Sequence, residues 1–273
     1  MFQNIARNFD ENQNSYEDVE LNKESKIKQI LKTIFSKQMI ILYTVSFLLS
    51  LVSFQINRDL APFGLAMLVA ILSNCIPIGI ASIFVLIGTA ISSGGNATMN
   101  VLITLLLIFV SILIRSPKYN EESNEKRRLG FRLFICTFLV QVVPLLFKEV
   151  MVYDIIFGVI YSIAVFIFYK IFVNSITTFT NIGEKRAYSI EEVMGASLTI
   201  AIAVCSMQGI VIYGYSIKNI LCILIVLIMG WKNGFLVGGA AGITVGSVVG
   251  VITSSEPSII ATYALSRFYI RNI

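Results

Sequence analysis

The side chains able to do chemistry in this sequence are few and scattered. Histidine is absent from all 273 residues, which removes the commonest general base and metal ligand. Ser–His–Asp and Cys–His nucleophilic arrangements therefore cannot form. The aspartates are Asp10, Asp18, Asp59 and Asp154, none adjacent to another and none followed by glycine. A two-metal phosphatase site needs several convergent carboxylates and cannot be assembled from them. No GxxxxGKS/T phosphate loop occurs. Cys75, Cys136, Cys205 and Cys222 lie in or beside apolar segments with no CxxC pair, so neither a zinc site nor a disulfide framework is indicated. They read as small, reduced, apolar residues. The residues present point away from catalysis.

Ion-driven transport leaves a different mark, an ionisable residue in mid-membrane, because burying one there is costly and is repaid only by function. Here the charged residues flank the apolar segments: Lys148, Glu149 and Asp154 cluster in one turn, Glu256 sits in another, and Lys170 ends a segment. The segments themselves carry Gln55, Asn74, Gln141, Gln208 and scattered Ser and Thr. Such groups more often hydrogen-bond between helices than coordinate a substrate. The four amides are the first places to probe for a ligand.

One pattern does stand out. In NGFLVGGAAGITVGSVVGVITSSEP, glycine recurs at every fourth position, Gly234, Gly238, Gly242, Gly246 and Gly250, with Gly239 beside them. In water that much glycine costs a helix roughly 1 kcal/mol per residue relative to alanine. In lipid the backbone must satisfy its own hydrogen bonds, so the run is helical regardless. Four-residue spacing lines the glycines along one face, and such a face lets another backbone approach closely. A helix-packing face is the expectation; a path lined by glycine backbone is the alternative.

The elements that position these residues follow from composition. The chain is 56% hydrophobic and 14% charged, with a mean hydropathy of +0.81, where a soluble domain carries about 25% charged residues. The expected fold is all-α, a polytopic integral membrane helix bundle. Ten apolar segments are placed near 39–56, 60–73, 76–91, 99–114, 131–147, 151–173, 195–212, 217–231, 234–252 and 258–270. Several fall short of the ~20 residues that cross a bilayer upright. The pairs 60–73 with 76–91, and 217–231 with 234–252, are joined so tightly that re-entrant hairpins are the alternative to crossings.

With ten spans and the N-terminus inside, 18 of the 21 Lys and Arg residues fall on the cytoplasmic side, leaving Arg58, Lys148 and Lys218 outside. That bias obeys the positive-inside rule, so both termini are expected in the cytoplasm. The basic residues are dispersed over short loops, which makes nucleic acid a poor partner and lipid the expected one. Residues 1–38 form an expected cytoplasmic segment, polar and Asn-rich at first. From residue 21 to 38, Ile27, Ile30, Leu31, Ile34 and Phe35 alternate at helical spacing with Lys23, Lys26, Lys28, Lys32 and Lys37, a basic amphipathic helix suited to an anionic membrane surface. Residues 39–270 form the transmembrane domain and 271–273 a short tail. The first apolar segment serves as an uncleaved signal anchor.

Two inner loops are large enough to meet a partner. In RSPKYNEESNEKRRLGFR (115–132), Arg127 and Arg128 follow an acidic cluster; NSITTFTNIGEKRAYSIEE (174–192) ends on Glu191 and Glu192. Acids in a first helical turn also favourably meet the positive end of the helix dipole, so a structural role stands beside docking for that pair.

The segment GFLVGGAAGITVGSVVGVITSSEPSIIATYALS (234–266) resembles the last part of the membrane region of the stage II sporulation protein E family, supported by APFG at 61–64 and EEVMGASLTIAIAV at 191–204. The resemblance covers most of residues 39–266 and the glycine-rich stretch is its most specific part. It implies ten spans with cytoplasmic ends, followed by a cytoplasmic regulatory segment and a manganese-dependent protein serine phosphatase domain of the PP2C type. It further implies a role in endospore formation: gathering at the asymmetric septum with the tubulin-like division protein and dephosphorylating a serine of an anti-anti-sigma factor, which releases the first forespore-specific sigma factor. None of that catalytic machinery, and no cofactor, is expected in these 273 residues. Where relatives continue Ser–Gly–Leu, Ser266 is followed by RFYIRNI, which leads to the expectation of a truncation, frameshift or disrupted gene. The function expected is a membrane-anchoring and localisation module that self-associates through its helices and meets division-septum proteins. A small permease or channel is the alternative, its path shaped by the glycine face and the Pro62, Pro77 and Pro144 breaks.

Overall fold

In the computed structural model the residues described are 36–56, 58–74, 76–114, 122–147, 152–181, 189–207 and 210–252, together with Ala261. The chain divides into two units, Met1–Ile41 and Leu42–Ile273. Of the first, residues 36–41 are described and hold the opening turns of helix α1; the expected amphipathic segment lies almost wholly outside the described residues, as do residues 262–273 of the expected tenth span and tail.

Eight α-helices occur among the described residues: α1 (Lys37–Ser50), α2 (Pro62–Ser73), α3 (Gly79–Ile114), α4 (Glu122–Val142), α5 (Val152–Thr180), α6 (Ile190–Cys205), α7 (Ile217–Asn233) and α8 (Phe235–Ile252). Two small antiparallel hairpins interrupt them, β1 (Phe54–Ile56) with β2 (Arg58–Leu60), and β3 (Val211–Ile212) with β4 (Tyr215–Ser216). The fold is all-helical in its mass, as composition required. Three described helical stretches, Gly79–Ile114, Glu125–Leu145 and Val152–Thr180, are long and apolar enough to cross a membrane, while α1, α2, α7 and α8 are apolar but shorter.

The surface explains the hydropathy. Helix α3 turns Ile83, Phe84, Ile87 and Ile91 outward, then Leu102, Leu106, Phe109 and Leu113; α5 does the same with Ile156, Ile160, Ile163 and Ile167. On α4, Phe131, Ile135 and Leu139 lie outward at four-residue spacing while Leu129, Leu133, Cys136 and Val140 are buried. An apolar exterior this extensive is a liability in water and the natural outer face of a bundle in lipid.

Helix α2 behaves in the opposite way. Eleven of its twelve residues are buried, as a helix hydrophobic all round must be when it sits inside protein. Pro62 opens it, where the missing N–H costs nothing, and Asn74 closes it, its Nδ2 donating to the Ala70 carbonyl at 2.9 Å. It packs on α5, α3 and α4, and Phe63 meets Phe168 edge-on at 4.6 Å. At twelve residues it spans about 18 Å. It is a core element of the bundle.

Several boundaries differ from those expected. The segments 76–91 and 99–114 are one helical element interrupted only at Gly94, whose φ of 75° and ψ of −175° are non-helical. Thirty-six unbroken helical residues would extend about 54 Å against about 30 Å of hydrocarbon, and a break at Gly94 is one of the ways, with tilt, that such an element is fitted to a bilayer. The segments 39–56 and 195–212 end early, at Ser50 and Cys205, and their last apolar residues become strands. Alternating apolar runs of that length do not distinguish a short strand from a helix end. Helices α4 and α5 reach further into the expected loops, to Glu122 and Thr180.

Candidate helix-packing and docking surfaces

With little hydrophobic drive between helices in lipid, association rests on close packing and hydrogen bonds. Three crossings in the bundle have that character. At the first, the end of α1 is wedged between α2 and α3. A Cβ on Gly64 would lie 2.9 Å from Val85 Cγ1 and 3.0 Å from Ser50 Cβ; one on Gly88 would overlap Ser50 Oγ and come within 3.2 Å of the Phe47 carbonyl oxygen. Ser50 Oγ donates to the Phe47 carbonyl at 2.7 Å, and Ser92 Oγ of α3 donates across to the Ser50 carbonyl at 3.0 Å. Only glycine permits this approach on both sides of Ser50.

At the second crossing, α4 meets α5. The space a Cβ on Gly130 would need is filled by the Tyr169 ring at 2.7 Å and the Phe166 ring at 3.0 Å. Tyr169 Oη donates to the Lys126 carbonyl at 2.7 Å, so the aromatic body fills the glycine notch while its polar tip is satisfied. Gln141, half-buried, stands beside Gly158 at the same interface.

The third crossing joins α5 and α6. A Gly195 Cβ would sit 3.1 Å from both the Ile171 carbonyl oxygen and Ser175 Oγ. Ser175 Oγ and Thr199 Oγ1 are 2.6 Å apart, one hydroxyl donating to the other, which leaves the second free to donate to a carbonyl of its own helix, Ile171 at 2.9 Å or Gly195 at 2.8 Å. One turn away, Thr177 Oγ1 donates to Glu192 Oε1 at 3.3 Å and Thr178 Oγ1 to the Glu192 carbonyl at 3.2 Å.

The glycines singled out by spacing divide into two groups. Gly238, Gly242, Gly246 and Gly250 are buried, as are Ala241, Val245 and Val249 between them, whereas Ile243 and Val251 on the other side are exposed. Helix α8 packs on α6 and α7. Gly234 stands apart: exposed, with φ of 86°, it caps the C-terminus of α7 and turns the chain into α8. A C-terminal cap with positive φ is a position that glycine occupies without strain.

The charged residues proposed for docking also separate. Arg127 and Arg128 are exposed on the first turns of α4, part of a helix and outside any loop. Glu191 is exposed at the start of α6. Glu192 is engaged internally. Its Oε2 accepts from the Ser189 N–H at 3.0 Å and its own N–H donates to Ser189 Oγ at 3.1 Å, a reciprocal capping box. Of the amides, Asn74 caps α2, Gln208 lies outside the described residues, and the side chain of Gln55 does as well.

The comparisons with known proteins decide the family. A model described as SpoIIE, N-terminal domain matches residues 2–266. The chain belongs to the SpoIIE N-terminal domain family. No curated protein and no solved structure matches it. Two of the three stretches that carried the resemblance sit at close crossings of this SpoIIE-type module: APFG contributes Gly64, and EEVMGAS contributes Gly195. Residue spacing did not single out Gly64, Gly88, Gly130 or Gly195, because each is a lone glycine whose partner helix is remote in sequence. The available signal was a small residue amid large apolar ones.

Proposed function

We propose that this SpoIIE-type membrane module anchors and addresses a protein serine phosphatase to the asymmetric septum of a sporulating cell. The observation that carries the reading is the family match over residues 2–266, joined to an apolar exterior on α3, α4 and α5 that suits lipid. The family's chemistry supports the rest: a cytoplasmic PP2C-type domain dephosphorylates an anti-anti-sigma factor, and its manganese is held by that domain, so no step of it is assigned to the residues described above. The topology in this proposal counts ten crossings with both ends in the cytoplasm, the parts of α3 before and after Gly94 taken separately, and it puts the β3–β4 hairpin outside. The α8 glycines, buried within the chain, support close packing of α8 on its own neighbours, while exposed Arg127, Arg128 and Glu191 are the charged positions from which a division-septum partner would be met.

The test is localisation of the full chain, fused at its N-terminus to a fluorescent protein, in a sporulating endospore-forming host. Enrichment at the asymmetric septum is the expected result and means that the membrane module carries addressing information. Uniform membrane fluorescence would overturn the addressing role and leave anchoring alone.

A further inference from the structure

Two cysteines with sixteen residues between them meet at one end of the bundle. Cys205 is the last residue of α6 and Cys222 lies in the second turn of α7. Between them the chain leaves α6, pairs Val211 with Ser216 and Ile212 with Tyr215, and turns at Tyr213 and Gly214, whose φ values are 50° and 82°. The Ile217 N–H then donates to the Ile210 carbonyl at 3.2 Å, closing the hairpin onto the start of α7. The return sets the two thiols, both free, within reach of one another. Both side chains are buried, Cys205 at 2% exposure and Cys222 at 0%.

Lys218 shares the pocket. It is a lysine on the first turn of a helix, buried to 7% exposure, with its ammonium in electrostatic reach of both sulfurs.

We propose that Cys205 and Cys222 form a disulfide that staples α6 to α7 beneath the β3–β4 hairpin. A disulfide needs Cβ atoms about 3.5–4.5 Å apart, and two neighbouring buried thiols at the facing ends of α6 and α7 are the pair placed to meet that requirement. The oxidant is itself a disulfide, on an extracytoplasmic oxidoreductase or a small molecule. One cysteine thiolate attacks it, forming a mixed disulfide and expelling one thiolate. The second cysteine then attacks the mixed disulfide, closing the Cys205–Cys222 bond and releasing the other. The two cysteines lose two protons and two electrons, and the oxidant leaves as two thiols. An oxidising compartment is where such bonds persist, and the proposal rests on the external placement of the hairpin only for access to that oxidant.

The experiment uses the full chain in host membranes. Thiols are trapped by acid, free cysteines are blocked with N-ethylmaleimide under denaturation, the sample is reduced, and newly exposed thiols are tagged with a polyethylene-glycol maleimide. Two tags on the wild type, none on Cys205→Ser or Cys222→Ser, and two on a Cys75→Ser, Cys136→Ser variant are expected. No tag on the wild type, or tags that survive Cys205→Ser, would overturn the pairing. Topology is read separately from Tyr213→Cys in a Cys205→Ser, Cys222→Ser background, since Tyr213 is 97% exposed. Labelling of intact cells by an impermeant maleimide supports the external hairpin. No labelling beside two wild-type tags overturns the topology and leaves the disulfide standing.

Discussion

Substituting Gly88 by alanine tests the physical account of the bundle at its tightest point. The added Cβ would overlap Ser50 Oγ, lie 3.0 Å from Ser50 Cβ and 3.2 Å from the Phe47 carbonyl oxygen, against 3.4 Å for ordinary contact. Ser50 Oγ can rotate away by giving up its 2.7 Å bond to Phe47. The Cβ and the carbonyl are fixed to the α1 backbone, so α1 and α3 must part by a few tenths of an ångström. Overpacking of this kind costs about 1–3 kcal/mol, and the better helix propensity of alanine returns up to about 1 kcal/mol. With that return the net loss is up to about 2 kcal/mol, each kcal/mol a fall of about 2–4 °C in melting temperature; the comparison with an alanine elsewhere on the same helix cancels the propensity term. The assay is thermal unfolding of the detergent-solubilised chain, read as loss of monodisperse elution of a fluorescent fusion. Gly95→Ala is the control on the same helix: nothing lies within 4 Å of its Cβ and its φ is not positive, so it should melt with the wild type or above it. Adding Ser50→Ala to Gly88→Ala should recover part of the loss, because the overlapping oxygen is gone. A Gly88→Ala protein as stable as Gly95→Ala would refute the close crossing.

Two further outcomes follow from the same geometry. Gly242→Leu, on the buried face of α8, should abolish assembly or septal localisation of the fusion by blocking close helix approach, and unchanged assembly and localisation would count against a packing role for the α8 stripe. Glu192→Ala removes the acceptor that serves Ser189 and Thr177, so α6 should lose about 1 kcal/mol; Glu192→Gln keeps an acceptor at that position and should retain most of it, and equal melting of all three proteins would deny the capping box any role in stability.

What was legible beforehand was whatever depends on local chemistry. The α7–α8 boundary is an example: the apolar runs 217–231 and 234–252 meet there, and the structure turns at Gly234 with a positive φ, although its spacing had read as part of the packing face. The ends of 39–56 and 195–212 were not legible, because FQI and VI fit a strand as well as the last turn of a helix. Glu192 was placed in a first turn by position alone, but its bonds to Thr177 and Thr178 required knowing that α5 extends to Thr180.

By itself the sequence determined that this is a membrane protein of helices, and its motifs pointed to the family. Hydropathy and residue type act along the chain, and no packing is needed to read them. The tertiary structure alone decided which small residues touch. Gly88 matters because Ser50 faces it and Gly130 because Tyr169 fills its notch. Cys205 and Cys222 become a pair because a two-residue turn at Tyr213 and Gly214 folds α7 back on α6. Close approach depends on where two helices cross, and neither helix records that position in its own sequence.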